Sequence, residues 1–100
     1  MPPSRRWYEL SPEADQDISE IFDYTVDEFG IDQAVSYVSQ FDVLFEQLVD
    51  NSELGRKRLE IRAELRSITQ ESHVVFYRIL KDRIRIVRVL HGSRDLPKLF

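Results

Sequence analysis

A chain of 100 residues, 42% hydrophobic and 32% charged, is sized for one domain around one modest core, so residues 1–100 are read as a single domain. It has no cysteine, which excludes disulfides and thiolate metal sites, and its two histidines, His73 and His91, are too few for a histidine cage; neither a cofactor nor a metal is expected. The net charge of −4 hides a division: residues 1–55 hold 2 basic and 13 acidic side chains (−11), whereas residues 56–100 hold 12 and 5 (+7). Either a basic surface meets something anionic, or the two halves neutralise each other inside the fold.

The opening MPPSRRWYELSP has no apolar run of signal-peptide length, and no later stretch approaches a membrane span, so the expected setting is the cytoplasm, away from membranes. Residues 1–5 read as a short loose tail. RWYEL (6–10) has the aromatic and apolar content of a short first strand. The stretch from 11 to 30 then reads as a helix. Ser11 suits the cap, Pro12 the first helical position, and Glu13 and Asp15 the positive end of the helix dipole. Ala14, Ile18, Ile21, Phe22, Thr25 and Phe29 form its apolar stripe, and Gly30 can take the left-handed conformation that ends a helix. A second helix is predicted over 31–51, with Asp32 as its cap and Ala34, Tyr37, Val38, Phe41, Leu44, Phe45 and Leu48 as its stripe. So short a connection makes the two helices an antiparallel hairpin.

NSELGRKRLEIRA (51–63) breaks the periodicity and reads as an irregular basic loop. Three strands follow: ELRSIT (64–69), HVVFYRIL (73–80), apolar on both faces as a central strand should be, and RIRIVRVLH (83–91) after the two-residue turn KD. The fold class is therefore α+β: an N-terminal strand, then an antiparallel helical hairpin packed on a small twisted sheet that ends in a three-stranded antiparallel meander. On the last strand, alternation puts Ile84, Ile86, Arg88 and Leu90 on one face and Arg83, Arg85, Val87, Val89 and His91 on the other, unless a bulge resets the pattern.

No nucleophile elbow, phosphate loop, CxxC or HExxH is present. The sheet does display Arg66, Arg78 and Arg88, and the stretch RVLHGSRDL (88–96) adds His91 and Arg94. Guanidinium groups suit bidentate contact with carboxylate or phosphate. They have three possible uses beside a histidine: anion stabilisation in metal-free RNA cleavage, grip on a nucleic acid, or a groove for an acidic protein segment. Against these stands pairing of Arg83, Arg85 and Arg88 with the carboxylates of the two helices.

With LSPEADQDISEIFDYTVDEFG, QAVSYVSQF and NSELGRKR in this order, and above all LRSITQESHVVFYRI joined to IRIVRVLHGSRDL, nearly the whole chain resembles the ParE branch of the ParE/RelE superfamily of bacterial toxins. The resemblance implies a type II toxin–antitoxin toxin that acts on DNA gyrase without performing a reaction of its own. It also implies a ParD-type antitoxin that meets operator DNA itself and folds its C-terminal segment onto the toxin as a hetero-oligomer. Target contact would then fall to Arg66, Arg78, Arg88, His91 and Arg94. The antitoxin would lie along the hairpin and the neighbouring sheet edge, with Tyr8, Phe22 and Tyr37 as candidate contacts set against a core role. The alternative is the RelE branch, which cuts mRNA on the ribosome. Arg56, Lys57 and Arg58 keep the basic loop of that branch, and some of its members have a histidine near His91. However, its central-strand arginine falls at Val74, and its C-terminal aromatic position at Phe100, which has no hydroxyl.

Overall fold

The computed structural model describes residues 7–94 and 96–100. The expected tail at 1–5, Arg6 of the first strand and Asp95 of RVLHGSRDL lie outside the described residues. Strand β1 (Trp7–Leu10) leads into helices α1 (Pro12–Phe29) and α2 (Ile31–Asp50); β2 (Arg56–Lys57), β3 (Arg66–Gln70), β4 (His73–Ile79) and β5 (Arg83–His91) follow, and a 3₁₀ turn (Leu96–Leu99) comes last. The five strands form one sheet in the order β1-β5-β4-β3-β2. β1 runs parallel to β5, and the other pairings are antiparallel.

Local chemistry explains the helix ends. Ser11 Oγ accepts the Ala14 N–H at 3.0 Å and donates to the Val87 carbonyl at 2.7 Å, so one hydroxyl caps α1 and pins it to β5. Gly30, at φ +91°, closes α1 through its N–H to Val26 O and at once occupies the cap position of α2, with no side-chain capping bond. The cap expected of Asp32 is thus displaced: with one residue between the helices, the tight link fixes the start of α2 one position before it. Nor is 51–63 wholly irregular, since Arg56 and Lys57 pair with Ser67 and Arg66 as a two-residue edge strand.

The hairpin covers one face of the sheet. Phe41, Phe45 and Leu48 of α2 are fully buried against Val75 and Tyr77 of β4 and Ile84 and Ile86 of β5, each large side chain contributing about 1.5–3 kcal/mol. The other face carries a smaller core of Leu65, Phe76 and Leu90, roofed by Ile61 and the C-terminal Leu96, Leu99 and Phe100. That double burial is why β4 is apolar on both faces.

Two expected faces are corrected. On α1 the buried set is Ala14, Asp17, Ile21 and Thr25, while Phe29 is 68% exposed; the stripe takes in a carboxylate and leaves the last aromatic beyond the sheet. On β5, Ile86 pairs with Tyr77 but Arg88 with Phe76, so Val87 is an extra residue. Beyond this bulge the alternation inverts: Val89 joins Ile84 and Ile86 in the helix-side core, and Val87 and Leu90 point to the far side.

Candidate functional site

The bulge also places Arg88. Its Nε and Nη2 donate to Asp17 Oδ2 and Oδ1 at 2.8 and 2.9 Å, and the Val89 N–H donates to Oδ2 at 2.9 Å. Asp17 is 8% exposed, so this fork straps α1 to β5 in partly dry surroundings. The hydrogen bonds to Asp17 hold the Arg88 guanidinium above its ordinary range. Pairing with a helix carboxylate therefore describes Arg88, but not Arg83 and Arg85. Both of these donate to Glu9 of β1 at 2.9 Å, because the parallel register sets Glu9 beside Arg85.

Two grooves flank the sheet. The larger, about 740 Å³, opens between α1, the hairpin tip and the β3–β4 turn, and brings together His91 and Arg94 with Tyr37, His73, Tyr24 and Phe29. His73 and His91 are cross-strand partners with ring centroids 5.4 Å apart, edge to face. The Tyr37 hydroxyl lies 2.6 Å from His73 Nδ1. Burial, helped by the charge of His91, holds His73 below the ordinary histidine value, and burial pushes Tyr37 up. The phenol therefore keeps its proton and joins His73 Nδ1 to the Gln70 carbonyl, to which it donates at 3.3 Å. The Ser93 N–H donates to His91 Nδ1 at 3.1 Å, and the Ser93 hydroxyl lies 2.7 Å from the same nitrogen. Asp17, Glu20 and Glu71 line the same groove. An incoming phosphate would meet the carboxylates of Glu20 and Glu71 there with Arg94 as the one cation in the lining, which opposes RNA chemistry at the histidine pair.

The smaller groove, about 390 Å³, lies at the other edge and brings Arg66 and Arg78 together with Lys57 and Lys81. It is built by Tyr77. Its buried hydroxyl accepts the Gly55 N–H at 2.8 Å and donates to Ser52 O at 2.7 Å, folding the loop so that β2 pairs with β3. A Cβ on Gly55 would stand 2.7 Å from both Ser67 O and the Tyr77 ring, so only glycine allows this approach. Arg66 Nη1 donates to Gly55 O at 2.8 Å, and Arg78 pairs with the exposed Glu64. Arg58 and Arg62 lie 5.4 Å over the rings of Phe76 and Phe100.

The target-contact residues expected from the sequence thus fall into three places: His91 and Arg94 in one groove, Arg66 and Arg78 in the other, and Arg88 in the strap between α1 and β5. Of the expected antitoxin contacts, Tyr37 is in the core, Tyr8 packs edge-on at 5.1 Å to Phe45 and donates to Asp42, and Phe22 is half-buried. Sequence reasoning missed Asp17 and Tyr77. Asp17 did leave a signal, since it falls on the helical spacing Ala14–Asp17–Ile21, where a carboxylate is out of place unless paired. Among the described residues no group of three or more histidines or carboxylates is placed to hold a metal ion, and no helix is long and apolar enough to cross a membrane.

Residues 8–96 match the family model described as "ParE toxin of type II toxin-antitoxin system, parDE". The chain is 37% identical over 92 residues to Toxin ParE1 of Mycobacterium tuberculosis, covering 91% of this chain and 94% of that one. It is 35% identical over 88 residues to Toxin ParE1 of Caulobacter vibrioides, covering 88% and 91%. In structure it is similar to a chain of the chromosomal ParDE system from P. aeruginosa, with a TM-score of 0.75 at 20% identity over 88% of this chain and 96% of that chain, a likeness of fold.

Proposed function

The chain belongs to the ParE toxin family of type II toxin–antitoxin systems, and from that premise we propose that it inhibits DNA gyrase by binding, without chemistry of its own, in the cytoplasm. A ParD-type antitoxin neutralises it. The observation that carries this reading is how the grooves treat an anion. The groove with the histidine pair is lined by Asp17, Glu20 and Glu71, and the groove rich in cations contains no histidine. Arg94 is thus the one cation in the lining beside the histidines, and the clustered cations lie at the other edge, whereas metal-free RNA cleavage needs acid–base groups and several phosphate-holding groups together. Arg66, Arg78, His91 and Arg94 are left for contact with the target, with Arg88 holding β5 in place for them.

The antitoxin is assigned to the hairpin side. Tyr24, Phe29, Ile31 and Val35 there are 52–68% exposed around the tip, more apolar surface than a lone hairpin gains by showing to water. An amphipathic segment laid along α1 and α2 would cover it, reaching Phe22 and the edge near Tyr8.

The deciding measurement adds purified protein to gyrase supercoiling and DNA-cleavage reactions and, in parallel, to a translation reaction. Inhibited supercoiling with accumulated cleaved DNA, relieved by antitoxin, is the expected result. Cleaved mRNA with gyrase untouched would reject the proposal in favour of ribosome-dependent RNA cleavage.

A further inference from the structure

We propose that the basic groove at the β2–β3–β4 edge is a sequence-independent binding site for the phosphate backbone of duplex DNA. This deepens, and rests on, the gyrase reading, because the target enzyme presents DNA beside its own surface. The site consists of Lys57, Arg66, Arg78 and Lys81 around one concavity, whose lining also holds one carboxylate, Glu64. Among the described residues no carboxylate lies within ion-pair distance of Arg56, Lys57, Arg66 or Lys81. This contrasts with Arg83, Arg85 and Arg88, each held by a carboxylate. Arg78 is paired, but with a Glu64 side chain that is 74% exposed and free to exchange for another anion.

The placement of these cations is specified. Lys57 and Arg66 are register partners across β2 and β3, so their side chains project on one side of the sheet. Tyr77 holds the loop that sets this register, and Arg66 is itself steadied on Gly55 O. Like charges side by side at a sheet edge cost stability unless an anion answers them.

The neighbouring residues select the kind of anion. Single-stranded nucleic acid is gripped by stacking bases on exposed aromatic rings. The groove offers none: its apolar lining is Ala63, Leu65, Ile79 and Leu80. The nearby rings of Phe76 and Phe100 already carry arginines over them. No base edge is read by a flat aliphatic floor, so the contact is to backbone phosphates, which makes it non-specific and steeply salt-dependent. It is distinct from the operator contact that the family resemblance gives to the antitoxin. The helical layer, with no lysine or arginine in residues 11–50, faces away from the duplex as its charge requires.

Fluorescence anisotropy with the antitoxin-free full chain and a labelled random-sequence duplex of about 20 base pairs tests this, since phosphate-mediated non-specific affinity falls at about 10⁻⁴–10⁻⁶ M and its logarithm declines linearly with log salt. The expected slope is about −2 to −4, corresponding to two to four phosphates, and Lys57→Ala or Lys81→Ala each removes about one from it. Both lysines are exposed and outside either core, so folding persists, as thermal melts will verify. Lys57→Arg and Lys81→Arg retain the slope, and Arg94→Ala, in the other groove, leaves it unchanged. Undetectable binding at low salt, a slope indifferent to both lysines, tighter binding of single strands, or equal displacement by polyglutamate would each overturn the proposal; the last would give the groove to an acidic peptide. Gyrase inhibition measured on the same preparations separates the two readings. Intact inhibition without duplex binding defeats only this inference, and duplex binding without inhibition defeats the gyrase assignment.

Discussion

Residues 11–50, which form the helical hairpin, carry eleven carboxylates and no lysine or arginine, whereas residues 56–85 carry nine cations against four carboxylates. If the two regions merely neutralised each other, the helices would be stitched to the sheet by many ion pairs. Among the described residues they are joined by one ion pair, Asp17 with Arg88. The remaining ion pairs lie within the sheet and its loops, and the apolar faces of α1 and α2 supply the adhesion. Charge separation here belongs to the surface, one face apolar and acidic, the other edge basic.

Breaking the single strap tests this view most severely. Asp17→Ala leaves the Arg88 guanidinium and the Val89 N–H without their acceptor in a largely buried setting, and such loss of one partner costs about 3 kcal/mol or somewhat more. Chemical denaturation should show that drop. Arg88→Met, which takes the other charge away and leaves apolar packing, should cost less than Arg88→Ala. A loss below about 0.5 kcal/mol for Asp17→Ala would show that the pair acts as an exposed one and that the layers cohere by apolar contact alone.

The basic edge depends on Tyr77 in the same way. Tyr77→Phe keeps the ring in the core but strands the Gly55 N–H and the Ser52 carbonyl, at a cost of about 1–3 kcal/mol. The loss should be local. Amide exchange should quicken through Gly55–Arg58 and stay slow in α2 and β5; uniform quickening would mean that edge and core unfold as one unit.

How much of this was legible in the sequence depends on the range of the interaction. Ser11, Gly30 and the α2 stripe act within a few residues, and they read correctly as cap, helix stop and core. Asp32 failed because the link between helices is one residue long, a spacing that propensity does not reveal. The β5 faces failed past Val87 because a bulge is fixed by the neighbouring strand, whose Phe76 and Tyr77 need opposite sides. Asp17 and Arg88 are 71 residues apart, and Tyr77 and Gly55 are 22 apart; their partnerships exist only once the sheet has formed. The charge division was visible from the start, but which cations stay unpaired was decided by the parallel register that gives Glu9 to Arg83 and Arg85.

The smallest expected effect is on the acidic side, at the histidine pair. His73 is held below its ordinary value chiefly by burial, with His91 adding to it, so the folded state binds a proton there less readily than the unfolded chain does. Where the unfolded state holds more protons, stability rises with pH. The contribution of His73 is therefore complete above the ordinary histidine value of about 6.5, and it is lost as pH falls from there through the lower folded value. The facing groups are Tyr37 from α2, His91 from β5, Glu71 from the β3–β4 turn, and Asp17 and Glu20 from α1. The ring is only half-buried, so the change should be shallow. Unfolding midpoints between pH 7.5 and 5.5 should decline gently in the native chain. In His73→Gln, whose amide can still meet the Tyr37 hydroxyl, the decline should be flatter over the same interval. An equal slope in the two proteins would show that His73 contributes nothing to the decline.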